Sequence, residues 1–368
     1  MNWKAYKKSI TATSVAIIAT ILVGCSSSVK KEQATTSYVD KAKFGAKYNG
    51  RQFISYGIHF QSGRLSLNAS PVNQKDFLQQ LSNVLTYSRL ANTHALAYGK
   101  INRWISSGAN INDLAKYGIS TRLMRGEDGY QNVLMTGYYS PVIKARRMPQ
   151  GQYQHPIYAM PINKRFSRAE IYAGALRGKG LELAYSDSML DNFLLGVQGS
   201  GYIDFGNGHL NYLAYAGQNG FKYASVGRLL VEDGEIAKEK MSVQAIREWG
   251  TRNPSRVQGL LERNPSYVFF QNDPNGKVKG SAGVPLVPLA SVASDRSIVP
   301  TGSVLLVEMP LIDNNGNWTG KHEMRLMVAL DVGSAVKGHH FDLYQGVGDK
   351  AGHVAGLMKH YGRVWVLN

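Results

Sequence analysis

The chain of 368 residues contains one cysteine, Cys25, so no internal disulfide can brace it. It also lacks a long apolar run. Its most hydrophobic stretch, Ile10 to Val23, falls short of the roughly 20 residues that a membrane-crossing helix needs. Acidic residues are scarce beside basic ones, 25 Asp and Glu against 42 Lys and Arg, which leaves a net charge of +17. Such a balance suits an anionic polymer partner. No nucleic-acid-binding motif accompanies it, and nucleic acid is not expected as a partner. Other absences narrow the chemistry. There is no His-Glu-x-x-His pair, and no glycine-rich turn leads from a strand into a helix with an acidic ribose partner. A Gly-x-Ser-x-Gly elbow is missing, which disfavours Ser-His-Asp catalysis. The chain has no internal repeat.

The N-terminus reads as a targeting signal rather than part of the fold. Lys4, Lys7 and Lys8 form a basic start before the apolar Ile10 to Val23 segment. Leu22-Val23-Gly24-Cys25 resembles the lipobox of bacterial lipoproteins, in which the cysteine is acylated and becomes the mature N-terminus. Residues 1–24 are therefore expected to be a lipoprotein signal peptide. Ser26, by resemblance to the sorting rule of such proteins, directs an outer-membrane lipoprotein facing the periplasm. Two or more acyl chains make such an anchor stable. Residues 25–50 are rich in Ser, Thr and Lys and read as a flexible tether. In that compartment, teichoic acids, the lipopolysaccharide face or peptidoglycan with free peptide carboxylates fit a basic protein better than nucleic acid does.

The rest of the chain alternates between helical and strand patterns. From Pro71 to Ile119 the spacing is helical, with Phe77, Leu78, Leu81, Val84 and Leu85 followed by Ile101, Trp104 and Ile105. After Gly129, the segments Asn132–Met135, Tyr138–Ile143 and Tyr153–Met160 have strand character. Ser167-Arg168-Ala169-Glu170 is a capping box that opens a helix. Met189 to Val197 is a mixed apolar patch, and a second helical region runs from about Ser225 to Leu261. From Tyr267 onward almost everything reads as β, in the pattern of a small closed or semi-closed barrel.

The densest chemistry lies between Asp331 and Gly346. An apolar run, Leu326 to Leu330, delivers Asp331 at its end, and a Gly-bounded connection leads to a second apolar segment carrying Asp342. Two carboxylates placed by strands are what acid-catalysed cleavage of a sugar acetal requires. Alternation puts Phe341 and Leu343 on one face and Asp342 with Tyr344 on the other. Partial burial beside Tyr344 would raise the Asp342 carboxyl's pKa, as a general acid needs. Asp331 either caps the short turn from Ser334 to Lys337 or orients and tunes Asp342. Asp295 reads as an ion-pair or turn residue in a supporting role. Of Tyr138 and Tyr139, one packs inward and the other is free to stack on a sugar ring. Gln198, Gly199 and Ser200 form either a plain turn or a site for N-acetyl and hydroxyl groups. Lys337 is either a surface lysine or a contact for a lactyl or peptide carboxylate. His339, His340, His353 and His360 invite a metal reading, but spacing alone gives no ligand set. No metal and no cofactor is expected.

Five segments then occur in order. They are Thr136-Gly137-Tyr138-Tyr139-Ser140-Pro141, Val197-Gln198-Gly199-Ser200-Gly201, Asn264-Pro265-Ser266-Tyr267-Val268-Phe269-Phe270, Ser294-Asp295-Arg296-Ser297 and the Asp331 to Gly346 block. Together, from about Asn68 to the C-terminus, they resemble the membrane-bound lytic murein transglycosylase A family. The resemblance implies a mainly β fold with helices (α+β). A double-psi β-barrel catalytic domain would be formed by residues 51–145 together with 256–368. A second β-rich domain, residues 146–255, would be inserted in it, with a glycan groove between the two. The C-terminal part further resembles a domain named for three aspartates, which fall on Asp295, Asp331 and Asp342.

The activity implied is non-hydrolytic cleavage of the β-1,4 bond between N-acetylmuramic acid and N-acetylglucosamine, giving 1,6-anhydromuramoyl ends. Asp342 would act as general acid and then base, with peptidoglycan glycan strands as substrate. Cell-wall synthase or scaffold proteins stay open as further partners. Two rivals remain. An inverting peptidoglycan glycoside hydrolase would use Asp342 as acid and Asp331 as base. A non-catalytic lipoprotein would bind peptidoglycan and link it to the outer membrane.

Overall fold

The computed structural model describes residues 58–63, 65–126, 131–273 and 276–368. The expected signal peptide, the tether and the acylated Cys25 lie outside the described residues.

Two sheets organise the chain. The larger begins with β1 (Phe60–Ser62) paired antiparallel to β2 (Thr121–Met124). Between them lies the expected helical region, chiefly Gln74–Tyr87 and Ala95–Ser106. Phe77, Leu81 and Val84 make the buried stripe of the first helix, while Leu78 and Leu85 are exposed. Each of those two follows a stripe residue by one position, about 100° further round, so it faces away. Buried amides fasten this layer to the sheet. Asn73 donates to the Leu289 and Leu326 carbonyls and accepts from the Leu326 N–H. Gln80 donates to the Pro285 carbonyl and accepts from the Val287 N–H.

The next strand, β3 (Val133–Ser140), ends at Pro141, and β4 (Val142–Arg146) starts immediately beyond it. The single strand expected over Tyr138–Ile143 is thus two. Proline offers no N–H to a ladder, so pairing stops there and the chain crosses into the second sheet. That sheet contains β4, β5 (His155–Tyr158), β6 (Glu182–Ser186), β7 (Gly201–Asp204), β8 (Leu210–Gln218) and β9 (Val268–Asp273), in the order β5-β6-β4-β7-β8-β9. The capping box at Ser167 and Glu170 opens the short helix Arg168–Tyr172. The apolar patch at Met189 proves to be a helix, Met189–Gln198, capped by the Ser188 hydroxyl. The second helical region is broken into Val226–Glu232, Val243–Arg252 and Pro254–Glu262, whose core includes Leu190, Phe193, Leu230, Trp249 and Leu261.

The chain then returns to the larger sheet with β10 (Ser291–Ala293), β11 (Val304–Ile312), β12 (Trp318–Asp331), β13 (His340–Val347) and β14 (Lys359–Leu367). Its order is β1-β2-β14-β11-β12-β10-β13-β3, and β3 also pairs with β14, so the pairing returns on itself through six strands. Strand β11 explains its unbroken apolar sequence. Val304 and Leu306 face the helical layer, whereas Leu305 and Val307 face a second core with Met135, Met327, Phe341 and Leu343. A strand buried on both faces has no polar side to show.

One helix was hidden by its own composition. Gly348–Leu357 lies in a stretch that reads as β and contains Gly352 and Gly356. Glycine weakens a helix by about 1 kcal/mol relative to alanine. Here it permits contact: a Cβ on Gly352 would lie 2.7 Å from the Tyr139 ring.

Candidate active site

Asp342 sits on β13 between Phe341 and Leu343, which point into the core at 1% and 0% exposure. Its own side chain therefore leaves by the opposite face, where β3 supplies its neighbour. Asp342 is in register with Thr136, and the Thr136 Oγ1 lies 2.6 Å from Asp342 Oδ1. The same Oγ1 lies 2.8 Å from Nε2 of His340, two residues earlier on β13. The other ring nitrogen, Nδ1, meets the Ala335 carbonyl at 3.2 Å.

Asp331 approaches from the other side of β10. Ala293 is the register partner of Asp331 on β12 and of Asp342 on β13. The two aspartates are thus two strand spacings apart, roughly 10 Å between backbones. Asp331 does not cap the turn at Ser334. Its Oδ1 accepts from the backbone N–H groups of Ser281 and Val332, both at 2.9 Å, and its Oδ2 accepts from the Tyr138 hydroxyl at 3.1 Å. The loop carrying Ser281 lies directly on β12. A Cβ on Gly280 would come within 2.4 Å of the Leu330 carbonyl oxygen, so only glycine lets this backbone approach.

The two carboxyls have different surroundings. Burial pushes Asp342 up to about 6; the Thr136 hydrogen bond opposes this and the charge of Asp331 adds to it. Burial also raises Asp331, against which its backbone and Tyr138 donors work. Burial lowers His340, and the nearby Lys359 charge adds to that lowering. Burial and both carboxylates push the Tyr138 phenol up. A carboxyl whose pKa is raised to about 6, beside one with three hydrogen-bond donors, is an arrangement for general acid chemistry.

The other expected residues divide by face. Tyr138 is at the site, and its ring lies 5.3 Å from that of Tyr344. Tyr344 itself is buried at 2% exposure, with its hydroxyl 3.3 Å from Ser140 Oγ. Tyr138, Tyr344, Tyr202, Tyr212 and Val278 form one apolar cluster that joins the two sheets beside Asp331. Tyr139 points the opposite way, onto Gly352 and to 3.5 Å from Arg247. There it borders a polar depression of about 190 Å³ that none of the site's carboxyls line. The Gln198 side chain accepts from the Tyr139 N–H, and Gly199 ends its helix in the left-handed conformation. Ser200 is bonded to the Tyr212 hydroxyl. Asp295 accepts from the Ser297 hydroxyl and from the N–H groups of Ser297 and Gly338, tying its loop to the connection before β13. Lys337 is exposed on that connection. The four histidines go to separate partners: His339 to His59, His340 to Thr136, His353 to the Asn314 carbonyl and His360 to the Gly316 carbonyl.

Sequence reasoning gives no role to Thr136 or Ser281, and weighs His340 only as a metal ligand before setting that aside. The period of two that paired Asp342 with Tyr344 also places His340 on the same face. No local pattern announces Thr136, because it is brought in by a neighbouring parallel strand.

Comparison with known proteins gives the family. Residues 134–271 match the MltA specific insert domain family and residues 290–368 match the 3D domain family. The membrane-bound lytic murein transglycosylase A of Escherichia coli strain K12 is 53% identical over 303 residues, covering 81% of this chain and 83% of that protein. The corresponding protein of Vibrio cholerae is 46% identical over 302 residues, covering 81% and 82%. The crystal structure of E. coli MltA with bound chitohexaose superposes with a TM-score of 0.81 at 48% identity, covering 88% of this chain and 98% of that one. A membrane-bound lytic murein transglycosylase structure from Agrobacterium tumefaciens matches with a TM-score of 0.62 at 28% identity, over 70% and 79% of the two chains.

Proposed function

Because the chain belongs to the membrane-bound lytic murein transglycosylase A family and is a peptidoglycan lytic transglycosylase, we propose that Asp342 is its single acid and base. The observation that carries this reading is the Asp342 carboxyl, raised to about 6 by burial and on the strand face opposite the core residues Phe341 and Leu343. The bond cut is the β-1,4 link from N-acetylmuramic acid to N-acetylglucosamine. Asp342 gives its proton to the glycosidic oxygen as the C1–O bond breaks and positive charge grows at C1. The resulting carboxylate takes the proton from the muramic C6 hydroxyl, whose oxygen bonds to C1 and closes the 1,6-anhydro ring. A nucleophile tethered to the same sugar needs no second carboxylate to activate water.

Asp331, roughly two strand spacings away, supplies negative charge that favours the developing cation and adds to the raising of Asp342. Tyr138 holds Asp331 and presents its ring to the sugar, while Gln198, Gly199, Ser200 and Lys337 belong to the walls of the glycan site; Tyr139, on the opposite face, and Tyr344, buried against Tyr138, do not. The six-strand closure supports reading the larger sheet as the double-psi barrel. The inserted domain, 146–255 in the sequence reading, takes in its bordering strands β4 and β9. Residues 1–24 are the signal peptide. Acylation of Cys25 anchors the chain to the outer membrane, facing the periplasm.

The test is a mass spectrum of products released from purified sacculi. The native protein is expected to give anhydro ends, one water lighter than hydrolysed ones, and Asp342→Asn to lose about 10²–10⁴-fold in rate. Near-normal turnover by Asp342→Asn would remove that residue from its role.

A further inference from the structure

The direction of the hydrogen bonds behind Asp342 is fixed from the far end. A backbone carbonyl only accepts, so the Ala335 oxygen, 3.2 Å from His340 Nδ1, requires the imidazole proton on Nδ1. In the neutral ring, Nε2 is then an acceptor. The atom facing it at 2.8 Å is the Thr136 hydroxyl oxygen, whose one hydrogen is contested by Nε2 and by Asp342 Oδ1. Given to Asp342, that hydrogen would lower the carboxyl and leave Nε2 without a donor; given to Nε2, it leaves only lone pairs toward Asp342 Oδ1, 2.6 Å away. Two lone pairs at that distance repel unless Oδ1 carries a proton.

We propose that His340 is a positioning residue that, through Thr136, selects the protonated form of Asp342. This rests on the reading of Asp342 as the acid. The chain runs from the Asp342 O–H to Thr136, from the Thr136 O–H to His340 Nε2, and from His340 Nδ1–H to the Ala335 carbonyl. When Asp342 gives its proton to the substrate, the Thr136 hydroxyl turns toward the new carboxylate and His340 Nε2 loses its donor. Taking a proton back from the C6 hydroxyl restores the chain, so the same device favours the base half of the reaction.

The surroundings favour the neutral imidazole that this requires. Burial lowers His340, and Lys359, in register with Thr136 on β14, adds its positive charge to the same effect. From the groove side, Asp331 and Tyr138 face Asp342, and Asp331 works in the same direction by raising it. Lys337, on the connection before β13, is exposed. Ala293 of β10 brings no titratable group.

The experiment compares pH–rate profiles of anhydro-product release by the full chain and its His340→Leu variant. An acid that must be protonated loses activity as pH rises through its pKa. Filling the histidine's place with an apolar side chain would by desolvation alone push Asp342 up and move that alkaline limb to higher pH. Loss of the relay frees Thr136 to donate to the carboxylate, so the limb is expected to move about one unit lower, roughly a tenfold loss on the alkaline side. An unmoved or upward-shifted limb would overturn the proposal. In a Thr136→Val background, His340→Leu is expected to give no downward shift, since only desolvation is left to act; an equal downward shift there would show that His340 does not act through Thr136. Thr136→Ser keeps the hydroxyl and should keep the native limb. The ¹⁵N shifts of His340 in the native chain give an answer that needs no variant to fold. An Nδ1-protonated tautomer is expected, and an Nε2-protonated one sinks the idea. If Asp342→Asn is inactive while the His340→Leu limb stays put, only the relay falls; if Asp342→Asn is active, the acid assignment falls first.

Discussion

At the scale of single residues, the site stores a conflict between stability and chemistry. Asp342 is raised from 3.8 to about 6 in the folded chain, chiefly by burial. A raised carboxyl pKa means that the native state binds more protons than the unfolded one between those values. Its contribution is favourable below about pH 4 and is lost as pH rises through about 6. Asp342→Asn removes the buried charge and keeps the shape. It is therefore expected to stabilise the chain by up to about 3 kcal/mol near pH 8 and by little near pH 4, read from thermal unfolding at the two pH values. Asp331→Asn keeps an acceptor for the Ser281 N–H but removes the like charge that helps hold Asp342 up. The alkaline limb of its pH–rate profile should move to lower pH, and a limb at the native position would deny Asp331 its electrostatic role.

At the scale of elements, close packing decides what the sequence pattern alone cannot. The helix Gly348–Leu357 docks on β3 because Gly137 has no side chain. A Cβ there would come within 2.8 Å of the Ala355 Cα, which is backbone and has no rotamer to yield. Gly137→Ala is expected to cost about 1–3 kcal/mol in denaturant unfolding by overpacking. Since β3 also carries Thr136 and Tyr138, activity should fall along with stability. Asn73 makes the complementary case. It satisfies three backbone groups between the helical layer and the sheet, so Asn73→Leu leaves buried donors and acceptors unpaired. A loss of about 1–3 kcal/mol per uncompensated group is expected, and a loss near zero would mean that water replaces the amide. Neither feature stands out in the sequence. The alternating and near-continuous apolar strands, by contrast, were readable because a two-residue period or its absence reports which faces are buried. Pro141 marked its own break but was read through, since its neighbours on both sides have strand character.

At the scale of the whole molecule, charge bears on how the enzyme meets its substrate. The net charge of +17 is attractive to a polymer bearing carboxylates, and this attraction is screened within about 10 Å at 0.1 M salt. Retention of the inactive Asp342→Asn chain on sacculi should therefore weaken as salt is raised. Salt-insensitive retention would assign binding to the aromatic cluster instead. Among the described residues no helix is long and apolar enough to cross a membrane. On the proposed lipid anchor, Cys25→Ser should move the chain from the membrane fraction to the soluble one, and unchanged fractionation would refute acylation at that position.

By itself the sequence determined what is local or periodic: a basic chain with one cysteine, a capping box at Ser167, the alternation of helical and strand regions, and Asp342 on the face opposite Phe341 and Leu343. Each of these follows from residues adjacent along the chain or one repeat apart. Only the tertiary structure decided that Ala293 stands between the two aspartates, that Ser281 and Tyr138 hold Asp331, and that Thr136 joins Asp342 to His340. Those contacts cross from one strand or loop to another far along the chain. Their partners are chosen by sheet pairing and close packing, and no spacing within a single segment encodes either.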